Sequence, residues 1–130
     1  MLTRARRGTS VMGATRLVLV LLAAMCIPAA AGDLAAAKKD FVRFCGKCHG
    51  PGGKGDGPQA DALNPKPKDL TNCAAMQSIP DDTLFTAIKE GGEAAHVSKD
   101  MPAWKDGMDD AEIHDLVAFI RSSKRGICRE

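Results

Sequence analysis

At 130 residues, with only 4% aromatic side chains and no tyrosine, the chain is long enough for one small domain but poor in the large rings that usually fill a core. Arg4, Arg6, Arg7 and Arg16 lie in a leading stretch without acids, and removing that stretch leaves 14 basic against 16 acidic side chains. That balance, and the lack of any basic run with interleaved aromatics, gives no case for nucleic-acid binding.

The arginines are followed by an apolar run from Leu17 to Ile27 and by Pro28-Ala29-Ala30-Ala31. A basic stretch, a short apolar run and small residues make residues 1–31 a secretory signal peptide and residues 32–130 the mature domain. The run is about half the ~20 residues needed to span a bilayer. The surroundings of Arg6-Arg7 fit a twin-arginine signal poorly. Met25 before Cys26 does not suit lipid attachment, which wants a small residue there. The expected location is the periplasm or another exported compartment, with membrane contact only through partners unless the leader is retained.

In the mature chain, Asp33 is placed to cap a helix that carries Phe41 and Phe44 on one face and runs into Cys45. From His49 to about Leu70 the density of glycine and proline predicts an ordered loop. A second helix is expected near Ser78-Ile79-Pro80, with Asp81 and Asp82 in its first turn and Gly91-Gly92 at its end. A further loop carries His96, Met101, Pro102 and Trp104. Asp109 and Glu112 then form a capping-box start for a last helix, whose Ile113, Leu116, Val117 and Ile120 follow helical spacing. No strand and no internal repeat is expected.

The chemistry is concentrated in Cys45-Gly46-Lys47-Cys48-His49. Two thiols two residues apart, followed at once by histidine, are the attachment pattern of c-type haem. At the end of a helix such cysteines can meet both haem vinyls from one side, and the histidine then lies beneath the iron. A structural zinc site would want a second pair or a cluster, and Cys73 and Cys128 form no such pair. A thioredoxin-like pair would sit near a βαβ pattern, which is absent.

With these residues in view, the chain resembles the class I monohaem cytochromes c. The matching parts are the helix into Cys45–His49, the loop Gly53-Lys54-Gly55-Asp56-Gly57-Pro58, Met101-Pro102-Ala103-Trp104, and a final helix with Phe119. The resemblance implies an all-α fold of several helices around one covalent haem c. Its first and last helices would cross, with Phe41 or Phe44 against Phe119. It points to Met101 as the sixth iron ligand, with His96, Met76, Met108 and His114 as the other candidates. It also implies that a proline carbonyl accepts from the other ring nitrogen of His49. Pro58 is the best match, with Pro51, Pro65 and Pro67 as alternatives. The Trp104 indole N–H can reach a haem propionate or simply cover the pocket.

Of five cysteines, Cys26 leaves with the leader and two hold haem. Cys73 and Cys128 then remain in an oxidising compartment and are expected to pair. A six-coordinate iron has no open substrate site, so the expected function is single-electron transfer between redox partner proteins by a monomer, not catalysis. The alternatives are an electron-entry subunit of a larger oxidoreductase and a gas-binding or sensory haem protein.

Overall fold

Asp33 opens the first helix as expected. In the computed structural model, which describes residues 32–122 and Ile127, its carboxylate accepts from the Ala35 and Ala36 N–H groups and starts α1, Leu34–Asp40. The expected leader and Cys128 lie outside the described residues. The helix then widens. Phe41–Cys45 is a π-helical turn in which the Gly46 N–H reaches back to the Phe41 carbonyl, and α2, Gly46–His49, follows. Neither the π turn nor its position is visible in the apolar spacing.

The loop predicted from His49 to Leu70 is present, interrupted by a 3₁₀ turn at Ala60–Ala62. A short helix that the sequence reading missed comes next: α3, Cys73–Gln77, capped by the Asn72 side chain accepting from the Ala75 N–H at 3.0 Å. Asparagine at an N-cap was the available signal. At five residues the helix is too short to show a period. α4, Asp81–Glu90, starts after Pro80 and ends at Gly91, whose φ of 91° suits glycine. α5, Asp110–Arg121, carries the full capping box between Asp109 and Glu112. No strand occurs among the described residues, so the all-α expectation holds.

α5 is the spine. Its Ile113 and Leu116 are fully buried together with Phe41 and Met76. α1 and α4 both pack on it. The ring that meets Phe119 is Phe41, at 5.8 Å between centroids, while Phe44 turns instead to Trp104 at 5.2 Å. The Asp33 N–H donates to Asp115 at 3.0 Å and fixes the start of α1 along α5.

Arg121 ties the other end. Its guanidinium donates to the Met76 and Ile79 carbonyls and pairs with Asp81 at 2.7 Å. One planar fork thus joins the end of α5 to α3 and to the start of α4. Arg121→Ala is expected to cost about 2 kcal/mol, because two carbonyls lose charged donors. Arg121→Lys keeps the charge without the fork and should recover only part. Denaturant unfolding of both variants checks this, and full recovery by lysine would show that the charge alone matters.

Candidate functional site

The short α2 would leave its last carbonyls bare, and the glycine-rich loop covers them. The Gly57 N–H donates to Cys48 O at 3.1 Å, Gly55 N–H to His49 O at 2.8 Å, and Gln59 N–H to Lys47 O at 3.0 Å. Gly57 passes so close that a Cβ there would lie 2.4 Å from the Lys47 carbonyl oxygen. Any side chain at 57 would push the loop off the helix end.

This packing makes one wall of a cavity of about 750 Å³, within the range of pockets that take cofactors. Phe44, Cys45, Cys48 and His49 line that wall. Leu63, Pro65 and Pro67 of the long loop and Met101, Pro102 and Trp104 of the later loop line the same cavity. Residues 49 and 101 are far apart along the chain yet share this one space.

Each sulfur and imidazole has a distinct setting. Burial pushes the Cys45 thiol up to about 12, helped by the neighbouring charges of Cys48 and Asp40. A thiol held that high is a poor thiolate, which argues against a dithiol exchange pair. Cys48 is half-buried, with its Sγ 3.6 Å from Gln59 Oε1. Burial also lowers the His49 pKa, and a Lys68 backbone acceptor opposes that shift. The His49 Nδ1 is nonetheless buried without a hydrogen bond of normal geometry. The ring sits 6.4 Å from Phe41, tilted by 49°.

The remaining expected residues divide cleanly. Met101 lines the cavity, whereas Met76 and Met108 belong to the buried core. His96 is exposed, at a φ of 56°, and is not part of the cavity wall. His114 is exposed and stacks on Phe85 at 4.5 Å. Trp104 is on the wall and rests on Phe44. Pro58 is exposed and off the wall, and the backbone that acts on His49 is that of Lys68. Cys73 is disulfide-bonded, while Cys45 and Cys48 are free thiols. Leu63 and Val97 also line the cavity and carry no motif that would have marked them.

The donor set suits a metal that brings its own macrocycle. Among the described residues no group of three or more His, Cys, Asp or Glu could hold a bare ion. One imidazole and one thioether on a largely apolar cavity could hold such a metal, and two thiols beside the imidazole would be the means of covalent attachment. The family described as cytochrome c oxidase, cbb3-type, subunit III matches residues 32–120. The chain belongs to this family of c-type cytochrome domains. No curated protein matches it. As a c-type cytochrome domain it is built for haem-based electron transfer, and domains of this kind are typically exported or membrane-associated. Among the described residues no helix is long and apolar enough to cross a membrane.

Proposed function

We propose that this domain is an exported single-electron carrier holding one haem c, joined through Cys45 and Cys48 and ligated by His49 and Met101. The observation that carries this reading is that one cavity gathers all four of those residues, while Met76 and Met108 are consumed by the core. Bound haem supplies a one-electron iron couple. His49 acts as the neutral imidazole donor, a state its burial favours. The thioether of Met101 favours the reduced iron and so raises the potential. Trp104 closes the cavity beside Phe44 and offers an indole N–H to a propionate.

We assign Cys128 as the disulfide partner of Cys73. Closing a loop of that length contributes roughly 4 kcal/mol in the chain-entropy view. Attachment and disulfide can be tested on one preparation. The exported, haem-loaded protein should keep its haem through a denaturing gel, visible by peroxidase staining. Its intact mass should be two hydrogens below that of the dithiol form. Cys45→Ala with Cys48→Ala should give a colourless band. A wild-type band without haem would refute the assignment, and two alkylatable thiols without reduction would refute the disulfide.

The family description favours a second reading, in which the domain is the electron-entry subunit of a larger oxidoreductase. Size measurement on native extract separates the two: a free carrier elutes as a small monomer, a subunit with its complex. Ready binding of carbon monoxide by the ferrous wild-type protein would instead support a gas-binding role.

A further inference from the structure

α4 ends at Glu90, and the loop carrying Met101 folds back across that end. The contact is backbone on backbone. The Gly92 N–H donates to the Met101 carbonyl at 2.9 Å, and the Gly92 carbonyl accepts from the Val97 N–H at 2.8 Å. Just beyond Met101, the Trp104 N–H donates to Ile88 O at 3.0 Å and the Lys105 N–H to Lys89 O at 3.1 Å. These bonds satisfy helix-end carbonyls that would otherwise lack partners. The loop is therefore pinned on both sides of Met101.

Gly92 sits buried at the closest approach. A Cβ built there would lie 2.3 Å from the Ser98 carbonyl oxygen and 2.8 Å from the Met101 Cβ. Neither neighbour is the far end of a flexible side chain that could swing aside. Gly91 is less tight, with the Met101 carbonyl oxygen 3.1 Å from its would-be Cβ. Any side chain at 92 must displace the ligand loop itself.

We propose that Gly92 is a positioning residue for the sixth iron ligand: its bare α-carbon and its N–H set how far Met101 reaches into the cavity, and thereby how firmly the iron is closed to outside ligands. This rests on Met101 being that ligand. An added methyl group pushes Ser98 and Met101 away from the end of α4, and the anchor at Trp104 prevents the rest of the loop from absorbing the shift.

The test is imidazole binding to the ferric, haem-loaded full chain, followed in the visible spectrum. Imidazole can bind only when Met101 has left, so its apparent affinity reports the open fraction. Gly92→Ala should bind imidazole about tenfold more tightly than wild type, weaken the absorption band of iron–methionine ligation, and bind carbon monoxide when reduced. Met76→Ala is the comparison for a merely structural effect. Met76 is 1% exposed in the core and does not line the cavity, so its truncation should also lower thermal stability and leave imidazole affinity unchanged. Wild-type affinity in Gly92→Ala, despite a comparable loss of thermal stability, overturns the proposal. If that variant yields no loaded protein, hydrogen exchange in wild type decides. Protection of the Gly92 amide must fall when imidazole occupies the iron, and unchanged protection overturns the proposal. If Met101→Ala itself leaves imidazole affinity at the wild-type value, the ligand assignment has failed and this inference goes with it.

Discussion

Met101→Ala should turn the oxidised protein high-spin or water-ligated, let the reduced protein take up carbon monoxide, and lower the reduction potential. Each effect follows from the proposed role of Met101 as a donor to the iron. The thioether stabilises ferrous iron, so its loss moves the couple downward. The vacated position is then open to a small ligand. Met101→His should restore a low-spin spectrum at low potential. The fold should survive, because Met101 is only half-buried and the attachment residues and His49 stay in place. Met76→Ala should behave in the opposite way. Met76 is 1% exposed and fully enclosed by the core. Its truncation should cost about 2–5 kcal/mol and leave the spectrum alone. Met108→Ala should follow Met76→Ala in direction. Absorption spectra and denaturant unfolding of the three variants separate ligand from filler. An unchanged low-spin spectrum in Met101→Ala, with loss of that spectrum in His96→Ala, would transfer the ligand role to His96.

The contrast between these methionines shows what the sequence could and could not reveal. Cys45-Gly46-Lys47-Cys48-His49 is legible because its chemistry is local: the spacing alone brings the thiols and the imidazole to one helix end. The capping box at Asp109 and Glu112 is legible for the same reason, as both partners lie within one turn. Met101 required the resemblance, because nothing local distinguishes a thioether that lines a cavity from those at 76 and 108 that fill a core. The backbone facing His49 was not legible at all. Any residue carries a carbonyl, and only the path of the long loop brings the Lys68 backbone near the ring. The π turn at Phe41–Cys45 was equally hidden, since one extra residue in a turn barely disturbs the apolar spacing.

That turn has a consequence for how fold and site depend on each other. It lets Phe41 enter the core while Phe44 and Cys45, on the same short stretch, line the cavity. The aromatic side chains are few, so each one carries much of the packing in its region. Phe41 touches both worlds, with Phe119 on one side and His49 on the other.

Phe41→Ala should therefore be the most destabilising single truncation in the helical stretch from Leu34 to His49. The side chain is 1% exposed, and removing a buried phenylalanine costs about 3–5 kcal/mol. A small domain holds about 5–15 kcal/mol in total, so the haem-free protein should be close to unfolded. On the proposed attachment at Cys45 and Cys48, haem would fill the neighbouring cavity and offset part of the loss, so the loaded variant should stay folded with a lower melting temperature. Phe44→Ala gives the contrast. Phe44 is half-buried and faces the cavity and Trp104, so its loss should cost less in the haem-free protein. Thermal unfolding of both variants, with and without haem, tests the division. Equal losses for Phe41→Ala and Phe44→Ala in the haem-free protein would show that the crossing of α1 and α5 does not rest on Phe41.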